Sequence, residues 1–268
     1  MSEIKDIAGL LPEVIKTAQE AGKIIMKHYE SGSGPTYTKD DNSPITMADI
    51  EAHRHISARL KELTSEYPVL SEESTKKVDY ETRKNWVRHW LVDPLDGTKE
   101  FLKRNGEFTV NIALIEAKRP VLGVVCAPVL EKTYYACRGD GAFRIIKNGA
   151  PESIRVSDYR QGPIKVVASR SHKTLDLMEF LKKLGDCQIK DAGSSLKFLL
   201  VAEGSAHMYP RLGLTMEWDT AAAHIIVEEA GGHVSILSGE PLEYNREEML
   251  NPFFMVTGDP PYPWRELV

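Results

Sequence analysis

From residue 69 to residue 146 the chain breaks into short apolar runs separated by turn signals, and this pattern restricts the fold more than any other feature. The runs are Val69-Leu70, Leu91-Val92, 108–115, 121–126, 133–137 and 142–146, and Lys147-Asn148-Gly149 follows as a hairpin-type turn. They read as an antiparallel sheet. Two amphipathic helices precede them. Residues 4–30 carry Ile7, Leu10, Leu11, Val14, Ile15, Ala18 and Ile25 at helical spacing, and Ser31-Gly32-Ser33-Gly34-Pro35 ends that stretch. Asp40-Asp41-Asn42-Ser43-Pro44 reads as a turn, and a second helix over 47–66 carries Ile50, Ile56, Leu60 and Leu63. Thr46 is its expected N-cap, with Asp49 at the third helical position completing a capping box.

After about residue 160 the pattern changes. A strand at 164–168, a helix at 175–184, a helix from near Ser194 to Gly204 and a strand at 206–209 follow one another. A helix over 219–230, stopped by Gly231-Gly232, precedes strands at 233–237 and 253–256. Strands alternating with helices imply a layered α/β half. The expected fold is therefore an α+β/α/β layered sandwich. An antiparallel-sheet N-terminal half carries two packed helices, and an alternating α/β C-terminal half follows. The 268 residues are expected to form one unit with subdomains 1–155 and 156–268, the boundary falling near Pro151 and Gly162-Pro163.

Charge and cysteine content exclude several functions. The net charge of -5 offers no basic field for a nucleic acid polymer, so an anionic substrate would need local cations or metal. The three cysteines, Cys126, Cys137 and Cys187, form no CxxC pair and are odd in number, which argues against a disulfide framework or a zinc site and fits a reduced cytoplasm. The start, MSEIKDIAGLL, lacks the pattern of a signal peptide, and the longest apolar run, 121–130, is far short of a membrane span and contains Pro128.

The chemistry-bearing feature is Trp90-Leu91-Val92-Asp93-Pro94-Leu95-Asp96-Gly97-Thr98-Lys99-Glu100-Phe101, where an apolar run ends in two acids three residues apart. Asp, Pro and Gly in this order also make an ordinary turn. A calcium loop of the EF-hand type is excluded, because Leu95 and Gly97 stand where oxygen ligands are needed. Carboxylates at a strand end repel unless a divalent cation lies between them. The Leu95 carbonyl is a further candidate ligand, and oxygen-only ligation favours Mg²⁺ or Mn²⁺ over zinc. Ser71-Glu72-Glu73-Ser74, after Val69-Leu70, adds acids whose plain alternative is a solvated surface. Asp219, in Glu217-Trp218-Asp219-Thr220, and Asp49 each have helix capping as the plain alternative.

Together, Asp49, the Glu-Glu-Ser box at Glu72, Asp93-Pro94-Leu95-Asp96-Gly97-Thr98 and Trp218-Asp219 resemble the inositol monophosphatase-like superfamily of metal-dependent, lithium-sensitive phosphatases. The resemblance runs through the whole chain and implies a fold shared with the fructose bisphosphatases. It implies that Glu72, Asp93 and the Leu95 carbonyl hold one Mg²⁺, and that Asp93, Asp96 and Asp219 hold a second. A third, weaker ion near Glu72 is also implied. Asp49 and the Thr98 hydroxyl would position and deprotonate the attacking water, with Glu72 counted among the catalytic groups. Gly97 and Thr98 would present backbone N–H groups to the phosphate, which Glu72, Leu95, Asp96 and Asp219 would border. No covalent phosphoenzyme is implied, and the histidines and cysteines receive no role.

Lys99, Gly193-Ser194-Ser195-Leu196-Lys197-Phe198 and Tyr209-Pro210-Arg211 resemble the 3′(2′),5′-bisphosphate nucleotidase branch. Ser194, Ser195, Lys197 and Arg211 would then hold the second phosphate of a small nucleotide bisphosphate, with Ser169-Arg170-Ser171-His172 as another wall. The expected reaction removes the 3′-phosphate of adenosine 3′,5′-bisphosphate to give AMP, which recycles a by-product of sulfate assimilation. The alternatives are an inositol monophosphatase or sugar phosphatase of the same family and, in another class, a non-catalytic metal- or phosphate-binding protein. Intact Asp49 and Thr98 argue against the last. The resemblance implies a cytoplasmic protein, monomeric or homodimeric, and leaves open peripheral contact with the inner membrane's cytoplasmic face.

Overall fold

A computed structural model describes residues 7–32, 36–38, 44–160, 162–169 and 174–268. The first residues of the first expected helix, the turn at 40–43 and Arg170 to His172 lie outside these.

Helix α1 (Leu11–Ser31) starts with Pro12 in its first turn, where the missing N–H costs nothing. It buries Val14, Ala18, Ala21 and Ile25 along one stripe. Strands β1 (Thr36–Thr38) and β2 (Pro44–Thr46) form an antiparallel ribbon that leads into α2 (Met47–Leu63).

The next seven strands make one sheet. They are β3 (Val69–Ser71), β4 (Arg88–Asp96), β5 (Thr109–Glu116), β6 (Arg119–Ala127), β7 (Lys132–Cys137), β8 (Gly141–Ile146) and β9 (Glu152–Ser153), adjacent in that order. Short connections make the pairs from β4 to β9 antiparallel, as expected. The edge differs: β3 runs parallel to β4, because the chain between them crosses through a 3₁₀ turn (Glu72–Lys77) and α3 (Tyr80–Arg83) before re-entering the sheet. A short helix α4 (Thr98–Leu102) follows β4.

The second sheet comes from the C-terminal half. It contains β10 (Ile164–Ser169), β11 (Cys187–Ala192), β12 (Met208–Arg211), β13 (His233–Ile236) and β14 (Phe254–Thr257), in the order β11-β10-β12-β14-β13. β10 is parallel to β11 and β12, while β14 is antiparallel to β12 and β13. Its helices are α5 (Leu175–Leu184), α6 (Leu196–Ala202) and α7 (Glu217–Glu229). β11 was not anticipated from the sequence. It is an edge strand with Gln188, Ile189 and Lys190 exposed, so it has no apolar pattern to reveal it.

Side-chain alternation along the strands builds the layers. Trp90, Val92, Ile112 and Leu114 face α1 and α2, packing on Val14, Ala18, Ile56 and Leu60. Leu91, Ala113 and Ile115 face the other way, toward Ala221, Ala222 and Ile225 of α7 and Leu199 of α6. Val167, Tyr209 and Phe254 of the second sheet close on the same two helices. That sheet's outer face, with Val166, Met208 and Met255, takes Leu177 and Phe180 of α5. The stack is thus helix pair, sheet, helix pair, sheet, helix. At Gly123 a Cβ would stand 2.3 Å from the Ala222 carbonyl oxygen, so only glycine lets α7 lie this close to β6. Among the described residues no helix is long and apolar enough to cross a membrane.

Candidate metal and phosphate site

Asp93 inherits its direction from β4. Trp90 and Val92 face α2, so Leu91 and Asp93 face α7, and Asp93 is only 2% exposed. In a regular strand a residue three positions on would point the opposite way. Here Asp93 pairs with Asn111 and Asp96 with Thr109, so three steps along β4 match two along β5. The extra residue is a bulge at Pro94-Leu95, and it returns Asp96 to the face of Asp93 while Leu95 buries its side chain among the α1–α2 contacts. Gly97 then takes φ +94° at the start of α4, where a Cβ would also meet the Glu107 carbonyl oxygen at 3.1 Å.

Two other elements complete the cluster. Asp219 is the third residue of α7, and its Oδ2 accepts the Met216 N–H at 2.8 Å, the expected capping bond. Carboxylate oxygens of Asp93, Asp96 and Asp219 lie within 4.8 Å of one another. The parallel pairing of Ser71 with Val92 brings Glu72 level with Asp93, and the two carboxyls share a hydrogen bond. Opposite them, Asp49 Oδ2 accepts the Thr46 N–H at 2.7 Å and the Thr46 hydroxyl at 2.6 Å. Its Oδ1 takes the Thr98 hydroxyl at 3.3 Å. The capping box and the site contact therefore coexist on one side chain, one oxygen each. The Thr98 hydroxyl also lies 3.4 Å from the Leu95 carbonyl oxygen.

Burial and mutual repulsion dominate the electrostatics. Burial holds the Asp93 carboxyl protonated well above the usual range, and Glu72, Asp96 and Asp219 push the same way. Asp219 is raised to about 8 by burial, then by Asp96 and Glu72. Asp49 rises to about 6, chiefly through burial, against the lowering effect of its Thr46 bonds. An all-oxygen donor set whose acids repel each other is the chemistry of a hard divalent cation, and the residues present fit one.

Glu72, Asp93, Asp96 and Asp219 line a cavity of about 280 Å³ together with Leu95, Gly97, Thr98, Lys99, Ser169, Ser194, Lys197 and Arg211, while Asp49 lies outside the lining and reaches it through its contact with Thr98. Glu100, Tyr209, Thr215 and Thr220 line it too. Lys197 is 7% exposed; its ammonium donates to the Ser194 carbonyl at 2.6 Å and lies 5.6 Å from the Tyr209 ring centre. Burial pushes its pKa down to about 8, opposed by Asp96. Arg211 donates to the Leu214 carbonyl at the cavity edge. Ser195 is buried and outside the lining, its hydroxyl engaged with Asp96 at 2.9 Å and the Asp219 carbonyl at 2.9 Å. Thr109 and Asn111 were not singled out from the sequence, although polar residues inside the apolar run at 108–115 are a signal. The Asn111 amide donates to the Ser195 hydroxyl at 2.8 Å.

Comparison with known proteins defines the family. The description of the inositol monophosphatase family matches residues 7–253, and the chain belongs to that family. It is 52% identical over 250 residues to the 3′(2′),5′-bisphosphate nucleotidase CysQ of Salmonella typhimurium, covering 92% of this chain and 99% of that protein. The Haemophilus influenzae protein of the same name is 36% identical over 260 residues, 96% of each chain. Among solved structures, CysQ of Bacteroides thetaiotaomicron superposes with a TM-score of 0.80 at 42% identity, covering 92% of this chain and 96% of that one.

Proposed function

We propose that this chain is a Mg²⁺-dependent 3′(2′),5′-bisphosphate nucleotidase that removes the 3′-phosphate of adenosine 3′,5′-bisphosphate, releasing AMP and phosphate. The observation that carries the reading is one cavity in which Asp93, Asp96 and Asp219 converge beside the Asp49–Thr98 pair, with Lys197 and Arg211 on its wall. The nucleotidase relatives support the choice of substrate.

Glu72, Asp93 and the Leu95 carbonyl would hold one ion, and Asp93, Asp96 and Asp219 a second, with Glu72 also bordering a third. Bound there, Mg²⁺ would acidify water and offset charge on the phosphoryl oxygens. Asp49 Oδ1 takes a proton from a water that the Thr98 hydroxyl orients, and its pKa of about 6 suits a base working near neutrality. The oxygen of that water attacks phosphorus as the bond to the 3′-oxygen breaks on the opposite side, and the 3′-oxygen takes a proton from solvent water to leave as the alcohol. The N–H groups of Gly97 and Thr98 face the transferring phosphate. Lys197 and Arg211 take the retained 5′-phosphate, while Ser194 and Ser195, whose hydroxyls donate to Asp96, act through that carboxylate. The enzyme works in the cytoplasm as one catalytic unit formed by residues 1–155 and 156–268.

The test is phosphate release from adenosine 3′,5′-bisphosphate and inositol 1-phosphate, with Mg²⁺ or with EDTA. Faster release from the bisphosphate, abolished by EDTA, is expected. Equal rates on the two esters would sink the substrate assignment, and silence on every ester would sink the enzyme itself.

A further inference from the structure

Each of the three clustered acids has one oxygen hydrogen-bonded to its own scaffold. Asp93 Oδ1 accepts the Leu95 N–H at 3.0 Å, and Asp219 Oδ2 accepts the Met216 N–H at 2.8 Å. Asp96 is held most firmly. Its Oδ2 accepts the Ser195 N–H at 2.7 Å, the Ser194 hydroxyl at 2.6 Å and the Ser195 hydroxyl at 2.9 Å, with the Asn111 amide at 3.4 Å. An oxygen with this many donors has no lone pair left for a cation.

The donors are themselves oriented. The Asn111 amide donates to the Ser195 hydroxyl at 2.8 Å, which turns the single Ser195 proton toward its acceptors. Thr109 reaches both Asn111 Oδ1 at 3.1 Å and the Ser194 hydroxyl at 2.5 Å. Lys197 grips the Ser194 carbonyl while Ser194 sits at φ +52°, a left-handed conformation uncommon for serine. Thr109, Asn111 and Ser195 are at most 1% exposed, so water does not compete.

We propose that the Thr109–Asn111–Ser194–Ser195 network makes Asp96 a one-oxygen ligand and thereby sets the preference of the site for Mg²⁺ over Ca²⁺. This rests on the metal-binding reading above. Ca²⁺ takes six to eight oxygens and readily uses both oxygens of a carboxylate, whereas Mg²⁺ holds about six in strict octahedral geometry. Blocking chelation by Asp96 therefore deprives Ca²⁺ of a ligand, while the fixed aim of the remaining oxygen serves the octahedral Mg²⁺. Thr109 and Asn111 are positioning residues, acting through Asp96.

The experiment is calorimetric titration of the metal-free full-length protein with Mg²⁺ and, separately, Ca²⁺. Asn111→Leu and the near-isosteric Thr109→Val remove members of the network, and Thr109→Ser restores the hydroxyl. Mg²⁺ affinity is expected to fall about tenfold in the first two. Ca²⁺ affinity is expected to hold or rise, so the Mg²⁺/Ca²⁺ ratio falls, and Thr109→Ser is expected to keep the wild-type ratio. Equal weakening of both ions, or an unchanged ratio, overturns the proposal. If Asn111→Leu fails to fold, the Thr109→Val and Thr109→Ser pair decides by the same ratio. A wild-type protein that bound neither ion would instead overturn the metal-binding reading.

Discussion

Asp93 shares a corner of the site with Glu72, Asp96 and Asp219, and without a cation its charge is opposed by burial and by these three acids. Asp93→Asn keeps this position neutral at every pH, so at a pH high enough to ionise Asp93 the metal-free variant should melt at a higher temperature than the metal-free wild type. It should also lose the rise in melting temperature that Mg²⁺ brings, and turnover should fall about a thousandfold, several kcal/mol of lost transition-state stabilisation. His89 is a second buried group, with no hydrogen-bond partner on either ring nitrogen among the described residues and a pKa pushed down to about 4 by burial and by Arg83. Between the unfolded value of 6.5 and about 4, the unfolded chain binds a proton that the folded one refuses. Stability is therefore lost as pH falls through that window, by up to about 3 kcal/mol. His89→Phe should remove this share, which urea melts at several acidic pH values would measure; an acid slope equal to the wild type's would place the loss elsewhere. At this scale the sequence exposed Asp49, Glu72, Asp93, Asp96 and Asp219, because each combines an acid with an element boundary. Asn111 and Thr109 stayed hidden, since their part depends on a neighbour 84 or 85 residues away.

Among the elements, β4 and α7 matter most. The bulge in β4 answers the difficulty posed by two acids at a spacing of three, and it was not legible, because a bulge is defined by the partner strand. The strand-rich first half and both of its helices were legible from periodicity. The parallel β3 was not, since two apolar residues carry no direction. Helix α7 was visible as an element, but not as the filling between two sheets. Its seat against β6 is tested by Gly123→Ala. The added methyl meets the Ala222 carbonyl, so the helix must shift, at about 1–3 kcal/mol. Thermal or urea unfolding should show that loss. Because Asp219 rides on α7, Mg²⁺ affinity should weaken in the same variant.

For the molecule as a whole, the acid cluster gives metal-free stability a definite pH dependence. Asp219 is raised from 3.8 to about 8, and Asp93 is raised as well, so the folded state holds protons that the unfolded state has released. That stability is fully present below the unfolded value and is lost as pH rises through the folded one. In EDTA the melting temperature should be lower at pH 8 than at pH 5, and saturating Mg²⁺ should flatten the decline. A melting temperature in EDTA that rose over this interval would contradict the reading.

The position of α7 also bears on how the chain is made. β6 emerges from the ribosome about a hundred residues before the helix that covers its inner face. At about 5–20 residues per second, the nascent sheet waits roughly 5–20 s with Leu91, Ala113 and Val125 uncovered. During that interval the half-made chain presents the apolar surface that chaperones bind, and a ribosome stalled before residue 217 would leave it bare.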